Sequence, residues 1–347
     1  MTRNFAAQWL LGLVSVFIAS SVFAQTSASS QTNASFKALY ETEWGSTQPC
    51  RETALNRFSV CSNVLRNEGN APFILNNPKS NKVAVLVHGL SDSPFFMREI
   101  AEILFSEGFS VVVPLLPGHG KRDANDDMSD WDLAERWQSH VDDVISLADS
   151  MGDTLLVGGF STGAALAVEH YLDDGQNIDG LMLFSGALAL SDNAEGMSRI
   201  WGIKLLAKII DGDYETHGPN PYKYPNVAGF AGLELMDLIN TIRDKLDDGQ
   251  QVEVPLFAAH SQADATTPIR GVESLMELSK GPNSFFVIDE SYALCHADVV
   301  VNDTLLRQMQ FNKTMVNQQE ACAVPQANPL FSTMELMLRQ YIKQFMK

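Results

Sequence analysis

Apolar and polar positions alternate along the chain in a rhythm that separates strands from helices. Val83 to Val87 is an unbroken, β-branched apolar run, which predicts a strand buried on both faces. Pro94 to Glu107 follows with Phe96, Ile100, Ile103 and Leu104 at helical spacing. Ser93 is its candidate N-cap, Pro94 lies in its first turn and Gly108 marks its end. Phe109 to Val113 is the next apolar run. A second helix opens near Ser129, with Asp132 three residues on. It turns Leu133, Trp137, Val141 and Val144 to one side and stops before Gly152. Thr154 to Gly158 predicts a strand, Ser161 to Leu172 a helix and Gly180 to Phe184 a strand. After a long interval come strand Val254 to Ala259, helix Pro268 to Lys280, strand Ser284 to Ile288 and a closing helix, Thr333 to Phe345.

Strands that alternate with helices predict an α/β fold with a mainly parallel central sheet flanked by helices on both faces. The rhythm breaks once. From about Gly186 to Gln251 there are helix-like runs and the turn-rich stretch Gly218 to Pro225, with no core strand. A break of that size predicts an inserted, mostly helical cap over 187–251, with the core in 71–186 and 252–347.

The first residues predict a targeting segment. Arg3 supplies a positive start, Trp9 to Ala19 is apolar, and Val22-Phe23-Ala24 suits cleavage before Gln25. An uncleaved N-terminal anchor is the alternative. Gln25 to Ser35, rich in Ser, Thr, Gln, Asn and Ala, predicts a flexible leader within an N-terminal extension over 25–70. Export changes the meaning of the cysteines. Cys50, Cys61, Cys295 and Cys322 all follow the cleavage site, and an oxidising compartment permits disulfides. Of the three connectivities open to four cysteines, the two local bonds Cys50–Cys61 and Cys295–Cys322 are expected. Free, buried thiols are the other reading. The formal charge of −18, from 24 basic and 42 acidic residues in a chain of 347, excludes nucleic acid as a partner and suits solubility at high ionic strength.

The strongest chemical signal is Gly159-Phe160-Ser161-Thr162-Gly163, directly after the strand Thr154 to Gly158 and directly before the small-residue helix that begins Ala164-Ala165-Leu166-Ala167. That context is the one a nucleophile elbow requires. A sharp strand-to-helix turn lifts the serine, glycines 159 and 163 avoid collisions, and the helix N-terminus faces developing negative charge. A Gly-rich turn without chemistry is the structural alternative. Serine needs a base and an orienting acid, and behind such an elbow the acid precedes the histidine in the chain. His296 is the histidine that lies beyond the cap and after a late strand. His260 precedes any acid on its own loop and fails that order. His88 and His119 belong to earlier loops, and His140, His170 and His217 to helices or the cap. Asp264, after the strand Val254 to Ala259 and before Thr266-Thr267-Pro268, is the expected acid, in preference to Asp289, Glu290 and Asp298. The expected oxyanion donors are the backbone N–H groups of Thr162 and Leu90. His88 is read as a residue that shapes its turn.

Together, Val85-Leu86-Val87-His88-Gly89-Leu90, Pro114-Leu115-Leu116-Pro117-Gly118-His119-Gly120, the Ser161 elbow, Asp264 and His296 resemble the α/β-hydrolase superfamily. More narrowly, they are similar to its branch of monoacylglycerol lipases, small carboxylesterases and serine-aminopeptidase-like proteins. The resemblance runs from about Pro72 to the C-terminus. Asn220-Pro221-Tyr222 and the helix from Asn226 look like cap segments of that branch. The resemblance implies the fold, a Ser161–Asp264–His296 triad, a lid-like cap and acyl-ester substrates, small-molecule or lipid, with no metal or organic cofactor. The chain departs from the pattern in two places. Ser261-Gln262-Ala263 precede the acid where the family often has a glycine, and the Cys295/Cys322 pair and the long stretch after His296 are atypical. An exported esterase or lipase is therefore expected. A peptidase or amidase would need carboxylates to hold a substrate amine, for which Asp211, Asp213 and Glu215 are the candidates; an acyltransferase and a non-catalytic binding module are the other readings. In the cap, Lys204, Lys208 and Asp211 share one face of a helix over Ser198 to Asp211. Ile203, Leu205, Leu206, Ile209 and Ile210 spread over the other side, with Trp201 near the boundary. This is either a packed helix or a lid that docks transiently on anionic or lipid surfaces.

Overall fold

A computed structural model describes residues 29–51, 56–200, 202–211 and 213–347. The expected targeting segment, residues 25–28 of the leader and Trp201 lie outside the described residues. In chain order the elements are helix α1 (residues 29–44), strands β1 (Gln48–Pro49), β2 (Arg57–Cys61), β3 (Phe73–Leu75) and β4 (Lys82–Val87), helix α2 (Arg98–Ser106), strand β5 (Ser110–Val113), and helices α3 (Asn125–Met128) and α4 (Leu133–Asp149). Then come β6 (Thr154–Phe160), α5 (Thr162–Asp174), β7 (Gly180–Phe184), and the helices α6 (Asp192–Ser198), α7 (Ile203–Ile210) and α8 (Gly229–Asp247). The chain closes with β8 (Leu256–Ser261), α9 (Arg270–Leu278), β9 (Asn283–Ile288), α10 (Asp303–Gln308) and α11 (Phe331–Phe345).

The sheet order is β1-β2-β3-β5-β4-β6-β7-β8-β9. From β5 to β9 every pairing is parallel, and β1 to β3 extend the β5 edge in antiparallel fashion. The strand β4 shows why a continuous apolar run belongs at the centre. Val83, Val85 and Val87 enter one apolar layer while Ala84 and Leu86 enter the other, so both faces are covered. Helices α4, α5 and α8 cover the first face, and α2 and α11 the second.

Three expectations shift. The strand expected at Val254 begins only at Leu256, after Pro255, which has no N–H for a ladder, and continues into His260 and Ser261, which pair with Val287 and Ile288. His260 therefore sits on the sheet rather than on a loop. The helix expected from Ser129 begins only at Leu133, as α4, and a separate short helix, α3, precedes Ser129. Residues 29–35 are helical rather than a flexible leader, because α1 presents Phe36, Tyr40 and Trp44, one turn apart, to the core. The Tyr40 hydroxyl accepts from Leu115 N at 3.2 Å.

The extension before the core also grips the region between β7 and β8. The half-buried Arg66 guanidinium donates to Thr216 O, and to Pro221 O at 2.7 Å and Lys223 O at 3.0 Å. Asn67 Nδ2 adds a bond to Pro221 O at 2.6 Å. Among the described residues no carboxylate pairs with this cation; backbone carbonyls and the Tyr224 ring, 5.2 Å away, hold it, and burial draws its pKa down. Arg66→Met leaves those carbonyls without their donors. We expect a loss of about 2–4 kcal/mol in urea unfolding, with new protease cleavage inside 216–223 before global unfolding.

Candidate active site

Strand β6 runs against β4 and ends at Phe160. The chain then reverses into α5 through Ser161, whose φ of 54° and ψ of −116° lie outside the common regions. The two glycines are needed for close approach. A Cβ on Gly159 or on Gly163 would collide with the Val87 carbonyl oxygen, a backbone atom that cannot move aside. The turn thus packs the head of α5 against the end of β4 and leaves Ser161 at its apex, nearly buried.

His296 arrives from the segment after β9, and Asp264 from the turn after β8. His296 Nε2 lies 2.9 Å from Ser161 Oγ, and His296 Nδ1 lies 2.6 Å from Asp264 Oδ2. The Asp264 carboxylate has further donors. Oδ1 accepts from Thr266 N at 2.9 Å and Thr267 N at 3.0 Å, and the Thr267 hydroxyl lies 3.1 Å from Oδ2. Burial by itself would raise this carboxyl. The facing His296, with the hydrogen bonds from His260 and His296, outweighs burial and holds it well below the usual carboxylate range. Three residues far apart in the chain are thereby brought into one hydrogen-bonded line.

The remaining expected residues fall into two groups. Leu90 follows β4 and lines the cavity beside Ser161, and Thr162 is the first residue of α5, where helix N–H groups have no partner within the helix. Of the alternative acids and histidines, Asp298 and His260 lie close to this line, and Asp289, His88 and His170 are engaged elsewhere. Asp289 caps the turn at Ser291, accepting from its N–H at 2.9 Å. His88 is fully buried and accepts from Leu116 N at 3.0 Å, so its Nδ1–H donates to Gly89 O at 2.8 Å, as expected of a residue that shapes the turn. His170 pairs with Asp142 at 2.6 Å. Asp211 accepts from Gly229 N and Phe230 N at the head of α8, Asp213 accepts from Asn125 Nδ2, and Glu215 is exposed. These three carboxylates do not converge on a common point as an amine site would require.

A cavity of about 1220 Å³ opens over Ser161 and His296. Helix α7 forms part of its rim and has three sides. Ile203, Leu206, Ala207 and Ile210 line the cavity. Lys204 reaches Glu234 at 2.6 Å, and Lys208 donates to Ser129 O and stands over the Trp131 and Phe230 rings. Leu205 and Ile209 face solvent, 57% and 70% exposed. The lysines expected to meet an anionic surface are therefore turned inward onto the protein, because Glu234 and two aromatic rings offer them partners, and the apolar side is left outward. Both disulfides form as expected. Cys50–Cys61 closes the β1–β2 pairing. Cys295–Cys322 ties the residue before His296 to another segment of the cavity wall, which includes Ala321, Ala323 and Pro325.

Sequence reasoning missed an ion pair in the cavity wall, Lys223 Nζ to the buried Asp92 at 2.9 Å, and the part played by Thr267. Asp92 lies in the loop after Leu90, and Lys223 is held from the other side by Arg66. Nothing in the local sequence pairs two residues so far apart.

The sequence pattern of the serine aminopeptidase (S33) family matches residues 78–219. A thermostable monoacylglycerol lipase from Bacillus sp. (strain H-257) is 25% identical over 219 residues, 60% of this chain and 84% of the relative. Among solved structures, one from a study of two metagenome-derived lipolytic enzymes, LipS and LipT, superposes with a TM-score of 0.53 at 20% identity, over 66% of this chain and 92% of that one. The monoacylglycerol lipase of Paleococcus ferrophilus superposes with a TM-score of 0.51 at 16% identity, over 76% of this chain and 94% of that one. The chain has the α/β-hydrolase fold and is similar in sequence to a lipase of that fold.

The protein keeps one more buried carboxylate near this site. Asp298, two residues past His296, is 4% exposed and accepts from Gln326 N at 3.1 Å. Burial raises its pKa to about 6, against the opposing pull of the Gln326 N–H and Lys223. Its unfolded value is about 3.9. Between those two values the folded protein holds the extra proton, so stability falls as pH rises through roughly 4 to 6 and the full cost is present above that window. Asp298→Asn keeps an acceptor for Gln326 N without the charge. We expect the variant to be more stable than the parent by on the order of 2 kcal/mol in urea unfolding at pH 7.5, with the difference vanishing near pH 4. A difference independent of pH would exclude this account.

Proposed function

We propose that the protein is an exported serine hydrolase that cleaves carboxylic esters through an acyl-enzyme. Ser161 is the nucleophile, His296 the base and Asp264 the acid that orients it. The observation that carries this reading is the unbroken line from Asp264 Oδ2 to His296 Nδ1 at 2.6 Å and from His296 Nε2 to Ser161 Oγ at 2.9 Å. Ser161 Oγ attacks the ester carbonyl as His296 Nε2 takes its proton. The imidazolium formed is stabilised by Asp264, which is held ionised by its surroundings. The oxyanion is met by the N–H groups of Leu90 and Thr162, the second at the positive end of α5. His296 returns the proton to the departing alcohol. Water then repeats the sequence on the acyl-enzyme and releases the acid. These steps need neither metal nor organic cofactor. The two disulfides support export, since such bonds persist in oxidising compartments. The family pattern favours a second reading, a peptidase with the same triad, which amide substrates test beside esters.

The substrate side of the proposal concerns residues 187–251, which we read as a cap. The cavity is larger than the ~300–1,000 Å³ of ordinary ligand pockets, and α7 gives it an apolar rim, which suits an acyl chain. The name of the Bacillus relative, a monoacylglycerol lipase, points the same way. Leu205 and Ile209 continue this apolar rim onto the outside of the molecule, so the cap meets a neutral lipid surface with its apolar face rather than an anionic one with its lysines.

Ser161→Ala should fold normally and lose about 10⁴-fold or more in kcat on esters, and a serine-directed phosphonate should label only the parent protein. Near-native turnover by the alanine variant would falsify the assignment. Leu206→Asp, at the cavity rim, should cost long-chain esters at least tenfold more in kcat/KM than short-chain ones, about 1.4 kcal/mol. Equal losses across a chain-length series would leave α7 with a packing role only.

A further inference from the structure

Two histidines touch the Asp264 carboxylate. The second, His260, fails the chain-order test for the base, and the mechanism above gives it no step. Its side chain is wholly buried at the end of β8. His260 Nε2 lies 2.7 Å from Thr267 O and 3.3 Å from Asp264 Oδ2, the same oxygen that His296 approaches. A carbonyl oxygen and an ionised carboxylate can only accept, so Nε2 carries the hydrogen. The opposite nitrogen, Nδ1, is buried without a hydrogen-bond partner.

We propose that His260 is a positioning residue whose Nε2–H fixes the turn 264–267, so that Asp264 Oδ2 stays in line with His296. This rests on the reading of Asp264 as the orienting acid. The turn is closed on its inner side by its own carboxylate, which accepts from Thr266 N and Thr267 N. Those bonds fix Asp264 relative to the turn. The turn itself is tied to the neighbouring strand ends by the Thr267 hydroxyl, which donates to Ser185 O at 3.2 Å, and by His260. His260 stands on the sheet, where pairing with Val287 fixes its backbone, and holds the turn by the Thr267 carbonyl. The next residue restrains the other partner: Ser261 Oγ donates to Leu294 O at 2.8 Å, two residues before His296. Consecutive residues of one strand thus position the acid and the base. An apolar side chain at 260 would fill the space but leave the Thr267 carbonyl without that donor in a dry interior.

The hydrogen bond to His296 is sensitive to such movement, since a misplacement of about 1 Å can cost about 10²-fold. The test compares His260→Leu, which lacks the donor, with His260→Gln, which keeps an N–H. With His260→Leu, kcat on a soluble short-chain ester should fall about 10- to 100-fold while KM stays within about twofold, and the far-downfield proton resonance of the His296–Asp264 hydrogen bond should shift or disappear. His260→Gln should recover most of kcat and the resonance. Retention of kcat and resonance in His260→Leu, or equal loss in both variants, overturns the proposal. If His260→Leu does not fold, ¹⁵N resonances of the parent protein decide. A neutral His260 with its hydrogen on Nε2 supports the role, and a hydrogen on Nδ1 excludes it. Asp264→Asn separates this inference from the one beneath it. Full turnover by that variant would remove Asp264 from the mechanism whatever His260 does.

Discussion

The contact between the Val87 carbonyl and two residues without side chains is the constraint on which the site depends. Strand β4 and the head of α5 approach so closely that neither Gly159 nor Gly163 has room for a Cβ. That approach forces the tight reversal at Ser161 and its unusual backbone. An isolated turn would relax out of such a conformation, which costs of order 1–3 kcal/mol. Here the six-residue pairing of β4 with β6 on one side and the buried small residues of α5 on the other leave it no alternative. The apolar core thereby supplies the strain that exposes a hydroxyl at the helix N-terminus.

Around that fixed point the molecule gathers parts that are distant in sequence, each by a different force. Asp264 and His296 hang from the ends of β8 and β9 and are drawn together by charge and hydrogen bonding in a dry setting. Another part of the cavity wall is fastened covalently, through Cys295–Cys322, to the residue before His296. The loop that carries Lys223 is fastened by the Arg66 guanidinium through its backbone carbonyls. The N-terminal extension is therefore tied to the pocket wall, although its contribution to the sheet is antiparallel strands at one edge.

Much of this was legible beforehand because it is local or periodic. The parallel strands are apolar runs, the amphipathic helices repeat at their own period, and Ser161 is announced by its immediate neighbours. Asp264 and His296 could be picked out by their order after strands. The failures are also physical. Phe36, Tyr40 and Trp44 form a regular stripe, but the polar run before them hid a helix that tertiary packing supports. His260 was placed on a loop because Pro255 delays the strand and carries it further along the chain. Lys204 and Lys208 were expected outside because charged faces usually are, and the partners that turn them inward lie on α8 and before α4.

By itself the sequence determined the α/β order of elements, the serine turn with its glycines, the places of Asp264 and His296 after late strands, and the local pairing of cysteines. All of these depend on neighbours within a few residues or on a periodicity that burial imposes on a chain segment. Only the tertiary structure decided which side of α7 meets water, that Asp92 faces Lys223, that Arg66 holds the pocket loop and that a second histidine, His260, stands against Asp264. Those are contacts between groups separated by up to 150 positions and more, as with Arg66 and Thr216, and no period or spacing encodes them. They follow from where the twisted sheet and its helices bring their ends together in space, which a linear pattern does not contain.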